Sequence, residues 1–190
     1  MAIVEVNIQI VGMTKMDEQK TIEQIINITY PGVTMLYRDT NLGSIAKLYE
    51  KDMIIKERAF TDASKRGGGI ITTHRYAILS NRYMDASEFE EGTNWGLCIM
   101  QQGSHFKVLD VYSKQEKTQI TLLHLPEKHW EVFTNVKTNL DEQLVSYTRK
   151  RFDELLTAPP VADLTTVDWL KRCSFPLGMD TKGNFYPLDE

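Results

Sequence analysis

Residues 95–125 read WGLCIMQQGSHFKVLDVYSKQEKTQITLLHL, three short apolar runs parted by two polar breaks. The runs cover residues 95–100, 106–112 and 118–125, and the breaks are Gln102-Gly103-Ser104 and Lys114-Gln115-Glu116-Lys117. Runs of this length, bounded by turn-forming residues, fit strands joined by tight connections. An antiparallel meander over 95–125 is the expectation. In the third run both alternating sets are apolar, Ile120 with Leu122 and Leu123 with Leu125. A strand of that kind is covered on both faces.

Helical spacing begins where the runs end. Phe133, Val136, Leu140, Leu144, Tyr147, Phe152 and Leu155 recur at steps mostly of three and four, predicting a long amphipathic helix near 127–157. Ala158-Pro159-Pro160 ends it. Thr165 with Asp168 caps a short helix over 167–173 that carries Trp169 and Leu170. The stretch 174–190 holds Asp180-Thr181-Lys182-Gly183 between apolar-aromatic flanks and reads as a hairpin-like C-terminal tail.

Upstream, residues 70–79 are rich in β-branched and aromatic residues, as strands are. Ser44 opens a helix with Ile45, Leu48 and Tyr49 on one face, and residues 33–37 form another strand. Val4, Val6, Ile8 and Ile10 alternate with polar residues, a strand with one wet face. Ile22, Ile25, Ile26 and Tyr30 then mark a helix closed by Pro31-Gly32. No repeat or low-complexity linker interrupts the pattern. The expectation is one α+β domain over 1–190, a mostly antiparallel sheet packed by amphipathic helices.

The 190 residues are 42% hydrophobic and 25% charged, ordinary globular values that need no disulfide staple. Cys98 and Cys173 form no paired motif, which suits a reducing compartment. The opening MAIVEVNIQIVG alternates instead of running apolar, and no membrane-length apolar stretch occurs. A soluble, cytoplasmic protein is expected. A net charge of −4 argues against nucleic acid as a general partner. Residues 56–82 nevertheless carry six cations against two acids, a local +4 that leaves −8 elsewhere.

The sequence KRGGGIITTHRY at 65–76 raises the question of a phosphate cradle. A phosphate loop places its Lys after the glycines and opens a helix. Here Lys65 and Arg66 precede Gly67-Gly68-Gly69 and a strand follows, so a glycine turn entering that strand is preferred. His74, His105, His124 and His129 lack the spacing of metal ligands or of paired His-x-Ser/Thr catalysis. Cys98, inside WGLCIM, is expected to be buried and inert, and no serine-nucleophile motif is present. Asp110 stands out, a carboxylate among Val108, Leu109, Val111 and Tyr112 that needs a partner. Arg75-Tyr76 and Arg82-Tyr83 repeat an Arg-Tyr pair seven residues apart.

Two functional readings follow. The preferred one is a non-enzymatic binding or accessory protein that holds a protein partner or small anionic ligand through segment 56–82. Its ligand residues would be Lys65, Arg66, Arg75, Tyr76, Arg82 and Tyr83. The alternative is an enzyme acting on a phosphate-containing substrate, with His74, Arg75 and Asp110 in one pocket. No cofactor, metal or membrane is expected, and a homodimer stays open.

Overall fold

The structure, a computed structural model, describes residues 32–127, 130 and 139–189. Eight strands form one sheet: β1 (Thr34–Thr40), β2 (Ile54–Lys56), β3 (Thr61–Ser64), β4 (His74–Ser80), β5 (Met84–Asp85), β6 (Leu97–Met100), β7 (His105–Lys114) and β8 (Lys117–His124). Helix α1 spans Asn139–Leu156 and α2 spans Val167–Arg172. The strand order is β2-β7-β8-β4-β1-β3-β6-β5. Neighbours are antiparallel except β4 and β8, which run parallel at the centre of the sheet. The chain is thus of the α+β class expected, with a mixed but mostly antiparallel sheet and one long helix.

The meander needs correction in its first member. All three apolar runs are strands, and β7 and β8 pair through a tight hairpin. β6, however, pairs with β3 and β5 in the other half of the sheet. Its inward residues Cys98 and Met100 are buried against the apolar cluster built on β1 and β4. Local alternation fixes which residues face inward, whereas the choice of neighbour depends on what that face covers.

The two faces carry different cores. On one, Leu36, Tyr76, Ile78, Met100, Phe106, Val108, Ile120 and Leu122 pack together, and Leu177 and Met179 close over them. On the other, Leu79, Leu109, Leu123 and Leu125 meet Leu144 of α1. A register shift between Val108 and Asp110 bulges β7. The extra residue turns Asp110 to the helical side, where Arg149 of α1 forks onto it with two bonds of 2.7 Å. The carboxylate in an apolar strand therefore finds its partner on the long helix.

α2 forms much as expected, although Thr166 is its cap, accepting from the Trp169 amide at 3.4 Å. Trp169 and Cys173 bury against Ala86 and Leu97. The region around Ser44 forms a short 3-10 helix, Gly43–Leu48. Segment 174–189 doubles back through a bridge between Met179 and Phe185. The expected strand at 4–10 and helix up to residue 30 lie outside the described residues, as does most of 127–138. Among the described residues no helix is long and apolar enough to cross a membrane.

Candidate functional site

The side chains of the basic segment are spread over both faces. Lys65 reaches Asp85 and Ser87, both at 2.8 Å, and Arg66 binds the Asn94 carbonyl and Asp163. Arg75, 1% exposed, forks onto Asp39 at 2.6 and 2.8 Å and donates to the Gly68 carbonyl at 2.9 Å. Tyr76 points the other way, into the core. Asp110 is held by Arg149, and the ring of His74 contacts the Thr73 hydroxyl at 2.7 Å. Arg82 and Tyr83 line a separate cavity of about 340 Å³ beside His124. His74, Arg75 and Asp110 do not share a pocket. Carboxylates take up the charge of Lys65, Arg66 and Arg75 one by one.

The glycine triplet is explained by close approach. A Cβ on Gly69 would lie 2.1 Å from the Ala158 carbonyl oxygen, and one on Gly68 would lie 2.8 Å from the Val161 side chain. The Gly69 amide donates to the Pro159 carbonyl at 3.0 Å. These glycines admit the Ala158–Pro159–Pro160 segment against the strand entry. Left-handed backbone is not what they supply.

His124 sits between two serines. The Ser104 hydroxyl donates to the Gln101 carbonyl at 2.7 Å, so His124 Nε2 donates to Ser104 at 3.1 Å. His124 Nδ1 then accepts from the Ser80 hydroxyl at 2.7 Å. Burial, with Arg82 nearby, pushes the imidazole down to about 4, so it is neutral at physiological pH. Fully satisfied in this way, the trio ties the ends of β4 and β8 together and leaves no base free to activate a hydroxyl.

A different group of polar residues lies on the inner face. The register sets Arg38 beside Tyr76 and Thr40 beside His74. Pairing of Tyr37 with Ser64 continues that row through Thr61 on β3. Arg38 is 5% exposed, and Thr40 and Thr61 are still more deeply buried. The Arg38 guanidinium donates to the Asp62 carbonyl at 2.8 Å and to the carbonyls of Arg172 and Phe175, both at 3.3 Å. Among the described residues, its Nε and the hydroxyl oxygens of Thr40 and Thr61 have no hydrogen-bond partner. Each such orphan costs about 1–3 kcal/mol, so three on one patch are a marked exception to the usual satisfaction of buried polar groups.

Glu57 lies beside them. Its carboxylate accepts from the Ala59 amide at 2.9 Å and from the Gly178 amide at 2.8 Å. Arg38, Glu57, Phe60, Arg172, Phe175 and Tyr186 line one cavity of about 430 Å³. Phe60 and Phe175 at its wall are 63% and 62% exposed. Behind it, the hydroxyls of Tyr49 and Tyr76 lie 2.6 Å apart. Burial raises both phenols, Tyr76 to about 12, so both stay protonated. Burial likewise raises the thiols of Cys98 and Cys173 to about 11. Among the described residues no group of His, Cys, Asp and Glu could hold a metal ion. Sequence reading missed Arg38, although a cation two residues from Leu36 on one strand face was a usable signal. Thr61 gave none.

No family model matches the sequence, and no curated protein matches it. Among solved structures, the type III effector XopAI from Xanthomonas axonopodis pv. citri is similar with a TM-score of 0.44 and 15% identity, over 50% of this chain and 42% of that chain. ADP-ribosyltransferase HopU1 of Pseudomonas syringae pv. Tomato DC3000 is similar with a TM-score of 0.43 and 19% identity, over 49% and 45%. Exoenzyme S from Pseudomonas aeruginosa, in complex with human 14-3-3 protein beta and bound to carba-NAD, gives 0.43 and 14%, over 64% and 69%. The chain spans less than half the length of XopAI and of HopU1. The preferred reading from sequence, a non-enzymatic protein whose role is protein or anion binding, is corrected here. The similar structures include ADP-ribosyltransferases, which are enzymes.

Proposed function

We propose that the chain is an enzyme acting on a phosphate-bearing nucleotide, taken up on the inner face around Arg38, Thr40 and Thr61. The observation that supports this reading is the trio of Arg38 Nε and the two buried threonine hydroxyls, without a partner among the described residues, together with the cavity that Arg38 and Glu57 line. A guanidinium N–H and two hydroxyls are donors suited to phosphate and ribose oxygens. Glu57 supplies the acceptor that orients a substrate hydroxyl, and the exposed ring of Phe60 offers a stacking surface for a base.

Titration calorimetry with ADP-ribose and NAD tests the proposal, carba-NAD being the nucleotide bound to Exoenzyme S. Nicotinamide release from NAD reports turnover. Losing a hydrogen bond to a charged group costs about 1.5–3 kcal/mol, so Arg38→Lys and Thr61→Val should each weaken binding about 10- to 100-fold. Nucleotide binding that survives both substitutions unchanged overturns the reading.

A further inference from the structure

We infer that residues 174–189 are a built-in strap that closes the nucleotide face, and that substrate enters when the strap lifts; this rests on the function proposed above. The strap holds Arg38, Glu57 and two tyrosines of that face, and it holds them with main-chain atoms. The Phe175 carbonyl accepts from Arg38 at 3.3 Å, and the Gly178 amide donates to Glu57 at 2.8 Å. The Leu177 carbonyl accepts from Tyr49 at 2.7 Å, and its amide donates to Tyr76 at 3.2 Å. Carbonyl oxygens and amide protons are generic partners, and the oxygens and hydroxyls of a nucleotide can take their places.

The deepest attachment is apolar, and the rings of Phe185 and Tyr186 add contacts to Tyr49 and Arg58. Leu177 and Met179, 2% and 1% exposed, anchor the segment in the apolar cluster. Between them Gly178 adopts φ +77°, and a Cβ there would lie 2.6 Å from Ile55. Beyond the anchors Asp180 Oδ1 accepts from the amides of Lys182 and Asn184, forming a turn whose Gly183 lies against Leu48. The far end is fastened by the Leu188 carbonyl, which accepts from Lys56 at 3.1 Å and from His105 Nε2 at 3.3 Å. The hinge-like glycine thus stands between the two anchors, directly over Glu57.

Gly178→Ala in the full chain tests this, because the added methyl clashes with Ile55 and the left-handed backbone is strained. Leu177→Ala, which removes an anchor, is the second variant. Hydrogen exchange over 174–189 reads the strap, and calorimetry with ADP-ribose reads the face. The expected result is faster exchange in that segment with ADP-ribose affinity raised at least 10-fold. Faster exchange with affinity unchanged or lowered overturns the strap, as does full protection in both variants. Wild-type binding as tight as that of the loosened variants overturns it too, while leaving the nucleotide reading standing. No binding in wild type or either loosened variant overturns both.

Discussion

A Cβ on Gly69 would meet the Ala158 carbonyl oxygen at 2.1 Å, and that oxygen belongs to backbone that cannot swing aside. Gly69→Ala should therefore destabilise the fold by about 1–3 kcal/mol or more, read as a lowered urea midpoint. His124 gives a prediction in pH. Its folded value of about 4 lies below the usual 6.5, so only the unfolded chain takes up a proton between them. Stability from this group is complete above about pH 6.5 and is lost as pH falls through 4, by about 3 kcal/mol in all. Urea titrations of His124→Gln at pH 7 and 4.5 should show a smaller difference than those of wild type. At this scale the sequence was partly legible. The need of Asp110 for a partner followed from its apolar neighbours, but Arg149 lies 39 residues away on another element. That Thr61 finds no partner among the described residues follows from strand register, which no local pattern carries.

Among the elements, the β7–β8 hairpin holds an untapped reserve of stability. Lys114 pairs with Lys117, leaving Gln115 and Glu116 as a two-residue loop with φ of +49° and +60°. That conformation favours Asn and Gly, and longer side chains adopt it at a cost. Replacing Gln115-Glu116 by Asn-Gly should raise stability by about 1 kcal/mol, measurable as a shift in thermal midpoint. The turn itself was legible, since four polar residues stood between two apolar runs. So were β4, β7, β8 and α2, whose patterns are strong and local. β6 was legible as a strand but not in its place, because its inward face answers to β1 and β4 rather than to the next strand in sequence. The segment around Ser44 forms a short 3-10 helix that buries Ala46 and Tyr49 and leaves Leu48, expected on the same face, exposed, a tertiary choice that propensity does not govern.

For the molecule as a whole, the charge imbalance of segment 56–82 misled because net charge counts residues without regard to pairing. Asp39, Asp85 and Asp163 lie outside that window in sequence and inside it in space. The site proposed in its place joins β1, β3 and the turn after β2, with segment 174–189 lying over them, a set that no local stretch of sequence brings together.

That order also has a consequence in time. β4 lies between β1 and β8, so neither of its sheet neighbours is adjacent to it in sequence, and its parallel partner is reached only after β5, β6 and β7. Such distant pairing carries a large loop-closure entropy and slows the search for the native state. The hairpin of β7 and β8 closes over two residues and can assemble first, presenting β8 as a ready edge on which β4 docks. The Asn-Gly loop should then accelerate refolding in stopped-flow experiments by several-fold and leave the unfolding rate nearly unchanged.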